Sequence, residues 1–297
     1  LEFGILPALV LAVSPWHLQY SRVAFEATML LAFLIFGLYF FFRAKREPKY
    51  LWLSLTLLAF TPWIYSTAKL FIPMLLILLF LLWREEIVRV RRKYLARAIV
   101  AGLIVGLPIL LSTLFGGGGM RFSYVSIFSD PTTKSEVDYQ RLLDVQVRSS
   151  SKSIIPKITS RLVHNKYTYW GERVINNVFA ALSSDFLFVN GDPNLRHSIK
   201  GVGQFYKIES VALILGLIYF FGFLKDKKVK SLICFWVLAG IIPSAITRDG
   251  GNHATRLILI LPPLVFLISY GIVAGFDHFK SHLSKLLIFL YLPCIKE

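Results

Sequence analysis

Residues 191–198, with the sequence GDPNLRHS, lie near the end of a polar segment that separates two blocks of hydrophobic helices. This polar segment covers residues 116–210, and a connection of that length is usually either functional or disordered. Its composition is not of low complexity, because it carries aromatic residues, His, Arg and a Gly/Pro/Asn turn signal. We therefore predict that it forms a folded region covering a membrane-embedded site.

The composition predicts an all-α polytopic membrane protein. The chain has 297 residues, of which 56% are hydrophobic, and its mean hydropathy is +0.62. Soluble domains are less apolar than this. The net charge of +16 would indicate a nucleic-acid partner in a soluble protein. Here the charges cluster between the hydrophobic runs, so membrane orientation explains them better and no nucleic-acid partner is expected.

Positive charges are concentrated in alternate short connections. In the first set, the connections at residues 43–49, 84–93 and 225–230 hold four or five Lys and Arg each, and the connection at residues 277–285 holds two. The connections with one or two such residues are residues 14–26, 65–69 and 248–256. The positive-inside rule places the first set in the cytoplasm and the second set outside, together with the long loop.

Hydropathy divides the chain into three parts. Residues 1–115 are expected to hold the N-terminal transmembrane helices, residues 116–207 the extracytoplasmic loop, and residues 208–297 the C-terminal transmembrane helices. Since the chain begins and ends inside apolar runs, a fragment with helices missing at one or both ends is expected. About nine complete or partial spans are predicted, at residues 3–13, 27–42, 50–64, 70–83, 98–115, 208–224, 231–247, 257–275 and from 286 onward.

The long loop itself shows one helical pattern. Apolar residues recur at helical spacing between 174 and 182, and polar residues at 172, 173, 176 and 177 lie opposite. This pattern predicts an amphipathic helix on the membrane or over a cavity. A helix packed within a small soluble subdomain is an equal alternative. The composition further predicts an ordered region at residues 164–206 and a looser one at residues 122–157.

The charged and His residues at the outer ends of predicted helices include Arg22, Lys69, His253 and Arg256. Ionisable groups at membrane depth are costly and by default suggest function, although for Arg22 and Lys69 a plain interfacial charge is an equal alternative. His253 and Arg256 are three residues apart and would share a helix face. The N-terminus of the helix that they open also favours an anion, so the pattern predicts a phosphate site.

Carboxylates are scarcer on the predicted outer side. Glu26 follows Arg22 by four residues, and an intrahelical ion pair between them is the favoured interpretation. We find no Ser/His/Asp set, no phosphate-binding Gly-rich loop and no His/Cys metal cluster in the sequence, and no metal is predicted.

Several segments resemble a known enzyme family. Residues 14–26, SPWHLQYSRVAFE, are similar to a segment of bacterial phospholipid-carrier-dependent glycosyltransferases, relatives of the protein O-mannosyltransferases and of the aminoarabinose transferase acting on lipid A. Further segments agree in the expected order along the chain. They are HNK at 164–166, FLFVNGDPNLRHS at 186–198 with GQFY at 203–206, and HATR at 253–256 with LPP at 261–263.

The resemblance implies an integral-membrane glycosyltransferase with a helix bundle of the GT-C architecture. Such an enzyme takes a sugar from a polyprenyl-phosphate carrier and uses it on the outer face of the cytoplasmic membrane. It needs no cofactor beyond this lipid-linked donor, and its acceptor would be a glycan, a lipid or a protein. The family carries its acidic catalytic motif in the first outer loop, which here would precede Leu1.

Residues 1–297 alone are therefore expected to bind the donor but not to transfer sugar, and Glu26 is a secondary candidate for the catalytic base. Arg256 and His253, together with Arg22 and Lys69, are expected to bind the carrier phosphate. In many relatives Arg stands at the position of Lys69.

The loop motif is expected to lie over the site through Asp192, Arg196 and His197. Two other functions remain open. One is a transporter or flippase of polyprenyl-linked sugars that uses the same cations without chemistry. The other is a non-catalytic membrane scaffold whose outer loop binds a partner.

Overall fold

The computed structural model describes residues 2–148 and 155–291, which are helical apart from their connections and one isolated β-bridge between Ser126 and Thr247. A π-helical turn covers Asp185–Val189. The α-helices are α1 Glu2–Val13, α2 Pro15–Arg22, α3 Glu26–Ala44, α4 Leu51–Ile64, α5 Ala68–Leu82, α6 Arg84–Val88, α7 Arg92–Phe115, α8 Met120–Val125, α9 Thr133–Arg148, α10 Ile155–Val163, α11 Lys166–Ala181, α12 Lys207–Gly222, α13 Lys227–Ala245, α14 Ala254–Leu257 and α15 Leu261–Tyr291.

Within residues 2–148 and 155–291, four helices are long and apolar enough to cross a membrane. They are α3, α7, α13 and the combined stretch Ala254–Lys280 of α14 and α15. Two more, α1 and α5, are apolar but shorter. The predicted all-helical fold is therefore confirmed for the described residues, together with helices that are long and apolar enough to cross a membrane.

The end of the described chain differs from the sequence prediction. Residues 277–285 were expected to form a connection and a new span was expected from residue 286. The structure instead continues α15 to Tyr291. No Pro or Gly occurs after Gly275 within this helix, so charged residues alone do not interrupt it.

The connection at residues 14–26 contains a helix that hydropathy did not reveal. Ser14 caps α2 by accepting a hydrogen bond from the His17 amide at 3.2 Å, and Pro15 occupies the first turn. Trp16 and Tyr20, four residues apart, form the buried face of α2. These aromatic residues join α2 to the core, although the helix as a whole is polar.

The predicted ion pair between Arg22 and Glu26 is wrong. Arg22 ends α2 and Glu26 begins α3, and Ala24 between them adopts a left-handed backbone with φ of 56°. The two residues are therefore not on one continuous helix, and the i,i+4 spacing does not bring them together. Arg22 Nη2 instead donates to Gln19 Oε1 at 2.9 Å.

Helices pack closely within each half of the chain. Helix α12 packs against α15, and α4 packs against both α3 and α7. At the α12–α15 crossing a Cβ on Gly216 would lie 2.0 Å from the Leu267 carbonyl oxygen, and one on Gly271 would lie 2.0 Å from the Ala212 carbonyl oxygen. Only glycine allows the two backbones to approach this closely.

One end of the bundle collects the connections rich in Lys and Arg. Lys228 Nζ lies 2.9 Å from Glu86 Oε1, which joins residues 225–230 to residues 84–93. Lys45 and Lys228 lie over the Trp83 ring at 5.5 and 5.9 Å from its centroid. Three of the four connections predicted to be cytoplasmic therefore meet at one end.

The loop is more helical than its composition indicated. Residues 133–148 form α9 within the region expected to be looser. Helix α11 was predicted, and Asn165 and Thr168 cap it with a reciprocal capping box. Its faces differ from the prediction, because Asn177 Nδ2 points inward to the carbonyl oxygens of Ala245 and Thr247, whereas the Phe179 side chain is 72% exposed.

Candidate functional site

The segment GDPNLRHS forms a compact turn around Asp192. Gly191 adopts a left-handed backbone with φ of 72°, where a side chain would also meet the Val202 carbonyl oxygen. Asp192 Oδ1 accepts the Asn194 amide at 2.8 Å, and Ser198 Oγ donates to the Asp192 carbonyl at 2.6 Å. The carboxylate of Asp192 is only 5% exposed and is held rigidly by its own loop.

Asp192 also caps the helix that was expected to bind an anion. The Ala254 amide, at the start of α14, donates to Asp192 Oδ2 at 2.8 Å. Asp192 therefore takes one of the backbone donors with which this helix N-terminus could bind an anion. Burial alone would raise the pKa of Asp192, but hydrogen bonds from His197, Asn194 and Ala254 hold it below its ordinary value.

Two histidines complete a cluster with Asp192. His197 Nδ1 lies 3.0 Å from Asp192 Oδ2, and the His197 and His253 rings lie next to each other, with centroids 5.0 Å apart and planes tilted by 32°. One ligating atom of each of the three residues lies within 4.8 Å of the others. The sequence showed no metal-type cluster because His197 and His253 come from distant segments, and no local spacing joins them.

His253 is held in its neutral form. Burial and the neighbouring Arg256 guanidinium lower its pKa to about 4. The side-chain atom Nδ1 of His253 is buried and has no hydrogen-bond partner. A buried polar atom without a partner is costly and calls for a ligand, water or ion.

Basic residues from three parts of the chain line one cavity, here called the Lys69–Arg256 cavity, of about 460 Å³. Lys69 lies in the first turn of α5, His253 and Arg256 lie around α14, and His197 comes from the loop. The carboxylate among its described lining residues is Glu26, at the first residue of α3.

The two long cations are partly anchored. Lys69 Nζ donates to the Gly118 carbonyl at 2.9 Å, and in the described part of the chain it forms no ion pair. Since an ammonium has three donors, Lys69 retains capacity for an anion. Arg256 Nη1 donates to Thr247 Oγ1 at 2.6 Å, which fixes one edge of its guanidinium.

Lys69 also borders apolar space. A cavity of about 360 Å³ lies between α4, α5 and α7, and apart from Lys69 and Thr113 its lining residues are apolar or glycine, among them Leu76, Leu103 and Leu107. A further cavity of about 350 Å³ is lined by both Lys69 and Arg256. The ammonium of Lys69 therefore stands where a polar cavity and an apolar groove meet.

Two residues expected at the site lie elsewhere. Arg22 and Arg196 are exposed, and neither lines the Lys69–Arg256 cavity. Gln19 connects them, because it accepts from Arg22 and donates to the Arg196 carbonyl at 3.3 Å. Of the loop motif, Asp192 and His197 reach the site through the cluster, whereas Arg196 contributes its backbone.

Thr247 is a functional candidate that sequence reasoning missed. It accepts from Arg256, and its carbonyl accepts from Asn177 of α11. A Thr at the end of an apolar run carries no signal for such a role.

A scan of protein-family models finds no match for this chain, and searches of curated proteins and of solved structures find none either.

Proposed function

We propose that this chain belongs to an integral-membrane glycosyltransferase that moves a sugar from a polyprenyl-phosphate donor to an acceptor outside the cytoplasmic membrane. Its helices would form a polytopic bundle of the GT-C architecture, with residues 116–207 on the outer side. The proposal rests on the ordered resemblance of its segments to that family and on the position of Lys69.

Lys69 is the main support for the proposal, because it lines both an apolar groove and a polar cavity, which suit the two parts of a lipid phosphate. On one side lies the apolar groove between α4, α5 and α7, which suits a polyprenyl chain. On the other side lies the cavity that Lys69 shares with His253 and Arg256, which suits a phosphate. An amphiphile with an anionic head would satisfy both at once.

The charge arrangement suits phosphate as the leaving group. Arg256 and Lys69 would stabilise the negative charge that develops on the carrier phosphate. His253 is neutral, and its N–H would donate a hydrogen bond without adding a third buried charge. Because these groups are preorganised, they would act most strongly when the phosphate leaves.

The reaction would be a single displacement at the anomeric carbon. The acceptor oxygen forms a bond to this carbon, the bond from the carbon to the phosphate oxygen breaks, and the electron pair leaves with the phosphate. A carboxylate takes the proton of the acceptor hydroxyl. Glu26 is the residue of this cavity that offers such a group, alongside the upstream acidic motif implied by the resemblance.

The test separates binding from chemistry. The chain would be purified in detergent, and binding of a radiolabelled polyprenyl-phosphate sugar and its transfer to water-soluble acceptors would be measured independently. Saturable binding that is lost in Lys69→Ala, together with transfer by a form of the protein that carries the acidic motif implied by the resemblance, is the expected result. Absence of saturable binding would refute the proposal.

A flippase uses the same phosphate-binding cations, so the same experiment is extended to liposomes. Movement of the intact lipid-linked sugar between leaflets without sugar release would identify a flippase and contradict the transferase. Sugar release with no leaflet movement supports the transferase.

A further inference from the structure

We propose that Asp192, His197 and His253 form a binding site for a divalent transition-metal ion of the Zn²⁺ class. The three residues come from two segments that are distant in the sequence, and one ligating atom from each lies within 4.8 Å of the others. The site stands independently of sugar transfer, because metal binding is measured without any substrate.

The donor set is the first argument. Two imidazoles and one carboxylate form a common protein set for Zn²⁺ and for other first-row divalent ions. A site with three protein ligands leaves a coordination position open to water or substrate. This open position would face solvent-accessible space, because all three residues line one cavity of about 540 Å³.

The ligands are already oriented by their surroundings. Amides of Asn194 and Ala254 hold the Asp192 carboxylate, and the edge of Phe25 lies against the His197 ring at 5.6 Å between centroids. Contacts of this kind, from groups that do not themselves bind the ion, hold the ligating side chains in place before the ion binds. If ligands on a loop were ordered only on binding, the entropic cost of ordering them would lower the affinity for the ion.

An independent observation comes from His253. Its Nδ1 is buried and unpartnered, although His197 Nδ1 in the same cluster has Asp192 as a partner. An ion in the cluster would give the His253 ring a bond that the protein alone does not supply. Asp249 and Asn252 line the same cavity and bring further oxygen donors to it.

Metal binding at this cluster requires only that the proton of the His197 ring changes its nitrogen atom. His197 Nδ1 and Asp192 Oδ2 share one hydrogen bond at 3.0 Å. When the ion binds, this hydrogen bond is replaced by two bonds to the metal, and the neutral His197 ring carries its proton on Nε2. Asp192 Oδ2 keeps its hydrogen bond from the Ala254 amide.

The experiment titrates the chelator-stripped, detergent-purified chain with Co²⁺, whose visible absorption reports coordination by nitrogen and oxygen, followed by displacement with Zn²⁺. We expect one equivalent of Co²⁺ to bind and Zn²⁺ to displace it. His253→Ala and His197→Ala each remove a ligand and should weaken binding by at least about tenfold, the lower end of the effect of losing a group that only orients a ligand.

His164→Ala is the matched control. His164 also pairs with a carboxylate, Asp144, at 3.0 Å, but it is not part of the three-residue cluster. Its loss should leave Co²⁺ binding unchanged. His253→Gln, checked by circular dichroism, keeps the test valid if the alanine variant does not fold. Absence of stoichiometric binding, or equal binding by the wild-type chain and the folded His253 variant, would overturn the site.

Discussion

At the scale of single residues, Arg256 joins the polar cavity to the rest of the molecule. Its guanidinium donates to Thr247, whose carbonyl accepts from Asn177 of the loop helix α11. Thr247 also pairs with Ser126 in the isolated β-bridge. Three parts of the chain therefore set the direction of one cation.

Removing this cation should weaken donor binding. Since hydrogen bonds to charged groups contribute about 1.5–3 kcal/mol, Arg256→Ala should raise the Kd for a polyprenyl-phosphate sugar roughly tenfold to a hundredfold. Direct binding in detergent measures this change. Arg196→Ala is the control, because Arg196 is exposed and does not line the cavity. The Kd of this variant for the polyprenyl-phosphate sugar should equal that of the wild type. An unchanged Kd in Arg256→Ala would exclude this residue from the phosphate site.

For Glu26 we expect the opposite result, a loss of transfer rate with little change in donor binding. Glu26→Gln keeps the shape of the side chain and removes the base, so a transfer-competent form of the protein should lose about 10²–10⁴-fold in transfer rate with little change in donor binding. Rate and Kd are measured on the same preparation. A transfer rate equal to that of the wild type would assign the base to another carboxylate.

The grouping of basic residues around one cavity was predictable where a charge stands at the end of an apolar run. Lys69, His253 and Arg256 were found in this way, and they line one cavity. Arg22 shows the same sequence signal but is turned away, because the left-handed backbone at Ala24 separates α2 from α3. The cap of Asp192 on Ala254 is a contact between distant segments, and neither segment alone indicates it.

At the scale of helices, glycine decides the closest crossing. Gly216→Ala would place a methyl group against the Leu267 backbone, and such overpacking costs about 1–3 kcal/mol. The thermal unfolding midpoint in detergent should therefore fall. Gly222→Ala in the same helix meets no atom within 4 Å and should leave the midpoint unchanged or slightly higher. Equal midpoints for the two variants would contradict the tight α12–α15 contact.

Helix positions followed hydropathy wherever a helix is apolar, as in α3, α4, α5 and α13. Polar helices were missed for a physical reason. α2 and α9 are stabilised by a cap or by one buried face rather than by overall hydrophobicity, so a hydropathy window does not detect them. Apolar spacing also did not indicate that Asn177 of α11 faces inward, where it gains two backbone acceptors.

At the scale of the whole molecule, charge and polarity separate the two ends. The Lys/Arg-rich connections meet around Trp83, and the cavities with Lys69 and Arg256 lie with the loop residues His197 and Gly118. Alternation of short connections predicted this grouping from the sequence, since each span carries the chain across once. The three-dimensional cluster of Asp192, His197 and His253 was not accessible to that reasoning.

This arrangement predicts the sidedness of the chain. In a background of Cys234→Ser and Cys294→Ser, Lys200→Cys should react with a membrane-impermeant maleimide in intact cells. Arg46→Cys should react only after permeabilisation, because residues 43–49 face the cytoplasm by charge. Both positions are exposed, so lack of access does not explain a difference. The reverse labelling pattern would invert the topology.

The central claim is that the Lys69–Arg256 cavity and its neighbouring apolar groove bind a lipid phosphate. The most direct measurement compares polyprenyl phosphate with polyprenol of the same length on the purified chain and on the double variant Lys69→Ala/Arg256→Ala. The account predicts saturable binding of the phosphate, much weaker binding of the alcohol, and loss of this preference in the double variant. Equal binding of the two lipids by the wild-type chain, or an undiminished preference in the double variant, would contradict it.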